Sequence, residues 1–244
     1  MVSVLGLLRR GLERPEKIPR YLFGLLHPSS RWGPEWRRLE GVVRFEPGGY
    51  AASARNRPEF ASNLYHEVSG LRAILETHLE RRPRSNSLEI GCGYGRLSPW
   101  IAEYTDDHYG LDPDGHALAL AAEQYPRLEF VLGRAGSLPF PDDEFDLIVT
   151  WTVLQHVGEE TIGDALSEIG RVLAPGGVVV CCERVRPPAD DHIVPRSLEA
   201  YERAFVPLES IDVRERPVEP TWAESMDTTR PAECVMVFRD DRHC

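Results

Sequence analysis

Residues 88–95, Leu-Glu-Ile-Gly-Cys-Gly-Tyr-Gly, constrain the fold more than any other stretch of this chain. Leu88 and Ile90 end an apolar strand, and Gly91, Gly93 and Gly95 then supply a tight turn in which the backbone approaches a ligand without interference from Cβ atoms. The next segment opens a helix, whose first N–H groups have no partner within the helix. Strand, glycine turn and helix in that order form a cradle for a nucleotide. Three glycines would also serve an ordinary turn, so the weight rests on the spacing of the blocks downstream.

Asp112 closes the segment His108-Tyr-Gly-Leu-Asp, where the second strand of a dinucleotide-type unit ends, and a carboxylate there accepts hydrogen bonds from ribose hydroxyls. Residues 130–150 hold a short third strand, a proline-punctuated loop and a strongly apolar fourth strand. Residues 171–183 give a helix end, a Pro-Gly-Gly turn and a fifth strand. The strands are nearly continuous apolar runs, as in a parallel sheet covered on both faces. Leu64, Val68, Leu71, Ile74, Leu75 and Leu79 recur at helical spacing and predict an amphipathic helix within residues 56–82, ahead of the first strand. Beyond Glu183 a proline- and charge-rich loop, residues 184–195, leaves the sheet's carboxyl edge as a candidate lid. A helix near 197–205 and strands near 208–214 and 233–239 come after it.

Residues 86–183 resemble the class I, Rossmann-like S-adenosylmethionine-dependent methyltransferases in their small-molecule branch, of methyltransferase type 11. The resemblance rests on four blocks in order: Leu88 to Gly95, Gly110-Leu-Asp112, Leu138-Pro-Phe-Pro-Asp-Asp-Glu-Phe-Asp-Leu, and Arg171-Val-Leu-Ala-Pro-Gly-Gly. It implies a three-layer α/β/α fold with a mostly parallel seven-stranded sheet, preceded here by a helical N-terminal extension. S-adenosyl-L-methionine is the implied cofactor. The residues it implies as cofactor contacts are Glu89, Gly91, Cys92, Gly93 and Gly95 of the first motif, Asp112 and Pro113, then Ala135, Gly136 and Leu138, and Thr150 and Trp151. One position departs: relatives carry Gly-Asp-Ala after the third strand, with the Asp on the adenine amino group, whereas this chain has Gly133-Arg134-Ala135. Backbone groups of Ala135 and Gly136, with Leu138 packing, are then left to hold the ring.

The chain has 244 residues, enough for one α/β domain with an added segment. We divide it into an N-terminal extension or cap, residues 1–55, and a methyltransferase domain, residues 56–244, comprising a cofactor half (86–183) and an acceptor-side part (184–244). No apolar run reaches the length of a bilayer span and the start lacks the features of a signal peptide, so a cytoplasmic protein is expected. Leu5, Leu7, Leu8 and Leu12 with Arg9, Arg10 and Arg14 form a short basic amphipathic pattern. It suits either peripheral contact with the inner membrane face or a packing arm over the active site. The net charge of −11 opposes nucleic-acid binding. Lys17 is the sole lysine among 28 basic residues, which excludes Schiff-base and Tyr-x-x-x-Lys chemistries outside the N-terminal segment. Cys92, Cys181, Cys182, Cys234 and Cys244 show no metal-binding spacing, so free thiols and no metal are expected.

The segment Thr150 to His156 is the expected reaction centre. His156 is the candidate base that takes a proton from an acceptor hydroxyl, against the alternative of a histidine that caps or packs the next helix. Trp151 either flanks the cofactor or packs in the core. Arg184, Arg186 and Arg196 are candidate clamps for an acidic acceptor, against simple solvation. The function expected is methyl transfer to a small or lipid-linked acceptor, such as a sugar or uronic acid of a surface glycan. The alternatives are a quinone or lipid-ring methyltransferase, or a non-catalytic S-adenosylmethionine-binding protein. Oligomeric state is not legible in the sequence.

Overall fold

The structure, a computed structural model, describes residues 58–80, 85–186, 193–216 and 233–242, with side chains from residue 64 onward. The expected N-terminal extension, with its basic amphipathic pattern, lies outside the described residues, as do residues 187–192 of the candidate lid.

Helix α1, Pro58–His78, begins on a proline, whose missing N–H is no loss in a first turn. Its apolar stripe, Val68, Leu71, Ile74 and Leu75, is buried against the sheet. The remaining elements are β1 (Asn86–Ile90), the short α2 (Ser98–Ile101), β2 (Asp107–Asp112), α3 (Gly115–Gln124), β3 (Glu129–Leu132) and β4 (Phe145–Trp151). Then come a 3-10 turn (Leu154–His156), α4 (Ile162–Val172), β5 (Leu173–Arg184), α5 (Leu198–Ala204), β6 (Glu209–Glu215) and β7 (Glu233–Arg239). Helix α3 is capped by Asp114, whose carboxylate accepts from the amides of His116 and Ala117, and α5 by Ser197.

The seven strands form one sheet in the order β3-β2-β1-β4-β5-β7-β6. Strands β1 to β5 pair in parallel, and β7 runs antiparallel between β5 and β6. The three-layer, mostly parallel architecture expected from the sequence is therefore the one observed. Side chains alternate across β4: Leu147, Val149 and Trp151 face α1, while Phe145 and Ile148 face the layer of α4 and α5. A shift in the β4–β5 register between Phe145 and Leu147 puts those two residues on opposite faces despite their even spacing.

Gly110 in β2 is a packing requirement. A Cβ there would lie 2.7 Å from the Phe130 ring and 2.8 Å from Cys92 Sγ, so the strand passes under the glycine turn only because nothing projects. Gly110→Ala is expected to lower unfolding free energy by about 1–3 kcal/mol through overpacking. Gly136→Ala, whose added atom meets nothing closer than 3.5 Å, serves as the near-neutral control in the same urea titration.

Candidate active site

Strand order reverses at β1, with β2 on one side and β4 on the other, and ligands of open α/β sheets bind above the carboxyl ends at such a point. The glycine turn fills that position. Gly91, Gly93 and Gly95 have φ of 72°, 55° and 78°, the left-handed region closed to most side chains. The amides of Gly91 and Cys92 both donate to the carbonyl of Leu111, at 2.6 and 3.1 Å, which ties the turn to β2. A Cβ on Gly91 would strike the Val153 side chain at 2.3 Å, whereas one on Gly93 would meet nothing within 4 Å. The turn is therefore tight where it faces the post-β4 loop and open where a ligand would approach.

Asp112, at the end of β2, brackets the turn. One carboxylate oxygen accepts from the amide of Gly93 at 2.9 Å and the other from the amide of Asp114 at 2.8 Å. Each oxygen keeps acceptor capacity for a hydroxyl donor. Burial pushes its pKa up to about 6. Glu89 is buried beneath the turn, accepts from Ser98 Oγ at the start of α2, and is raised by burial to about 8. It supports the loop from below as a neutral acid at pH 7. His108, buried beside it with Nδ1 2.9 Å from Ser87 Oγ, is pushed by burial down to about 3 and is neutral. The Cys92 thiol turns inward onto Leu118, Ala121 and Phe130, and burial raises its pKa well above the ordinary range. Its amide donates to Leu111 and its thiol to the Gly93 carbonyl at 3.7 Å, so Cys92 serves the shape of the turn.

Thr150 and Trp151 have partners inside the protein. Both are buried, on opposite faces of the sheet: Thr150 Oγ1 donates to Glu183 at 2.9 Å, and the Trp151 ring packs in the α1-side core with Nε1 donating to Glu67 at 3.1 Å. Glu183 is fully buried at the end of β5. Its two oxygens accept from Thr150 Oγ1 and the amides of Val153 (3.2 Å) and Gln155 (3.0 Å), so one carboxylate pins the whole post-β4 segment. Burial raises its pKa to about 7. His156 ends that segment, half-buried, with Nε2 3.5 Å from the side-chain Nε2 of Gln155.

Of the three candidate clamps, Arg196 and Arg184 have internal duties. The Arg196 guanidinium donates to the carbonyls of Leu154 (2.8 Å) and Val157 (2.6 Å) and pairs with Glu159 at 3.1 Å. It braces the His156 turn from outside as Glu183 does from inside, so it is a strut and not an open clamp. Arg184 pairs with Glu233 of β7 at 3.3 Å, and its amide donates to Gln155 Oε1 at 2.8 Å. Arg186 is exposed.

Past β3, Ser137 N donates to the Arg134 carbonyl and closes a turn over residues 134–137. Ala135 lies at the rim of the core, Gly136 is exposed, and Pro113, next to Asp112, is half-exposed. Leu138 is different: its side chain lies in the main core, its amide donates to Glu168 at 2.7 Å and its carbonyl accepts from Arg171 at 3.1 Å, so it anchors the turn from below.

Sequence reasoning missed Glu183 and Glu67. Glu67 is buried on α1, where it ion-pairs with Arg96 and Arg216 and accepts from Trp151. A signal existed for both. Glu183 terminates the apolar run Val178 to Cys182, and Glu67 interrupts the stripe between Leu64 and Leu71; an acid in either place is buried and needs donors.

Residues 88–181 match the family model described as a methyltransferase domain. The chain carries a class I S-adenosylmethionine-dependent methyltransferase domain. It is similar to a demethylmenaquinone methyltransferase of Lysinibacillus sphaericus, 34% identical over 43% of this chain and 47% of the relative. It is also similar to a malonyl-(acyl-carrier protein) O-methyltransferase of Salmonella typhimurium, 28% identical over 67% of this chain and 64% of that protein. The chain spans about half the length of several curated relatives it matches. Among solved structures, an S-adenosylmethionine-dependent methyltransferase from Mesorhizobium loti superposes with a TM-score of 0.59 at 21% identity, covering 72% of this chain and 99% of its own, a likeness of fold.

The site's residues fit S-adenosylmethionine: space above Gly93, acceptors on Asp112, and a rim turn whose Ala135 and Gly136 amides make no hydrogen bond among the described residues. The buried acids also set a pH dependence. Glu89 keeps its proton in the folded protein up to about pH 8 but only up to 4.5 when unfolded, so stability is lost as pH rises through that window. Glu183, raised to about 7, acts in the same direction, while His108 opposes both below its ordinary 6.5. Between pH 6.5 and 8 the acids prevail. The melting temperature of the ligand-free protein is expected to fall across that interval, and Glu89→Gln to flatten the fall; a wild-type melting temperature that is constant or rising there would contradict the assignment.

Proposed function

We propose that the protein transfers the methyl group of S-adenosylmethionine to a small, lipid-soluble ring compound of the quinone class. The observation that carries the cofactor half of this reading is the Asp112 carboxylate clasping the Gly93 amide at the strand-order reversal. The acceptor half is supported by the relatives named demethylmenaquinone methyltransferases. An acidic glycan acceptor rested on arginine clamps, and two of those three guanidiniums are spent inside the protein.

S-adenosylmethionine, when bound, supplies an electrophilic methyl for in-line displacement, so the protein's task is chiefly to orient and to exclude water. Asp112 would hold the ribose by accepting from its hydroxyls, and the glycine turn would let the backbone lie against the amino-acid portion. Glu183 and Arg196 hold the 3-10 turn so that His156 stands at the rim above β4. There the imidazole takes the proton that the acceptor hydroxyl or ring carbon releases as its new bond to the methyl forms. Contact of residues 1–55 with a lipid surface belongs to the same reading, since a quinone-class acceptor resides in membranes.

Calorimetric titration with S-adenosylmethionine separates these roles. Asp112→Ala is expected to weaken binding about 10- to 100-fold, the loss of hydrogen bonds to a charged acceptor. His156→Ala should bind within about threefold of wild type yet lose about 100-fold or more of methyl transfer to a demethylated quinone in vesicles. Equal affinity loss in both variants would overturn this division of roles, and wild-type turnover of a glycan but not of the quinone would overturn the acceptor class.

A further inference from the structure

Arg134 stands where this chain departs from its family, and its surroundings give it a use. Gly133 N donates to the carbonyl of Asp112 at 3.1 Å, which sets Arg134 one residue from the backbone of the ribose-binding position. Within the 134–137 turn it sits at the end of the edge strand β3, two strand spacings from β1. Adjacent strands lie about 4.8 Å apart, so the span from the glycine turn to Arg134 is about 10 Å. A nucleoside whose ribose rests on Asp112, with its sulfur end toward the β1/β4 crevice, must extend its base in this direction. The base then lies over the rim formed by Pro113, Ala135 and Gly136.

The Arg134 guanidinium carries two buried nitrogens, Nε and Nη2, with no hydrogen-bond partner among the described residues. These two form one edge of the planar fork and present parallel N–H groups. Buried donors of a cation left unsatisfied are costly; both nitrogens are closed to solvent in the ligand-free chain, so the side chain must turn outward to meet a ligand's acceptors and recovers that cost when it does. A guanidinium cannot accept. It therefore has no favourable contact with the exocyclic amino group of adenine, which a carboxylate at this position would bind; it can serve only the ring-nitrogen acceptors of the base.

We infer that Arg134 reads the acceptor edge of the cofactor's purine, reversing the hydrogen-bond polarity of the base pocket, so that the exocyclic amino group is not required for binding. The inference rests on the S-adenosylmethionine reading of the site. It has a direct corollary: a 6-oxo purine, which replaces the amino donor with a carbonyl acceptor, offers the fork a second acceptor beside the ring nitrogen. The pocket of this chain tolerates that exchange, and a pocket with a carboxylate does not.

Titration calorimetry of the full chain with S-adenosylhomocysteine and S-inosylhomocysteine tests this without any acceptor. Wild type is expected to bind the inosyl compound within about threefold of the adenosyl one. Arg134→Ala should weaken both about 10-fold. Arg134→Asp should bind the adenosyl compound and reject the inosyl compound by more than about 10-fold. Melting temperatures without ligand supply an independent readout: removing an unpaired buried cation should leave Arg134→Ala as stable as wild type or more so. Loss of melting temperature together with loss of binding would make Arg134 a structural residue and overturn the inference. Unchanged affinity in Arg134→Ala, or wild-type rejection of the inosyl compound by more than about 10-fold, would also overturn it. If wild type binds neither compound while Arg134→Ala remains folded, the cofactor reading itself fails; binding of the adenosyl compound with no effect at Arg134 leaves that reading standing and removes this one.

Discussion

The pairing of β1 with β4, two strands far apart in sequence, is the constraint on which the rest of the structure depends. It makes β1 the point where strand order turns back, so the loops leaving β1 and β4 flank the carboxyl-edge crevice where ligands of open α/β sheets bind. Both strands are buried almost throughout, so the hydrophobic effect that stabilises the domain also fixes where that crevice lies. Function in this fold is therefore placed by the core before any polar residue is chosen.

Polar chemistry at the carboxyl edge is organised by buried acids. Glu89, Asp112 and Glu183 end or nearly end three strands, and each turns its oxygens toward hydrogen-bond donors of the loop it supports. Burial raises all three above ordinary carboxyl values, and the donors limit the rise. Glu67 performs a similar task from α1 by gathering Arg96, Arg216 and Trp151. Loops that would otherwise cost conformational entropy to hold are held by a few carboxylates, which leaves the ligand-facing backbone of the glycine turn unencumbered.

The strands, their parallel order and the glycine turn with Asp112 were legible because each depends on local information: runs of apolar residues, positive-φ glycines and a fixed offset. The directions of individual side chains were not. Thr150 and Trp151 are neighbours in sequence, yet strand alternation sends one to Glu183 and the other to Glu67. Arg196 looked like a solvent-facing loop residue, and only tertiary contacts reveal it bracing the carbonyls of Leu154 and Val157, far earlier in the chain. Cys92 lies in the motif but points into the space that Gly110 leaves open, a fit between two loops that no single stretch of chain encodes.

The contact between Gly91 and Val153 has a consequence for how this protein can change. The missing side chain of one loop is the seat of the other loop's methyl groups, 2.3 Å from where a Cβ would stand. The two loops are thus meshed like adjoining gears, one leaving β1 and the other leaving β4. Moving one loop against the other would break that van der Waals contact. A larger residue at position 91 is therefore excluded while Val153 keeps its place, and a smaller residue at 153 would leave a gap over the glycine.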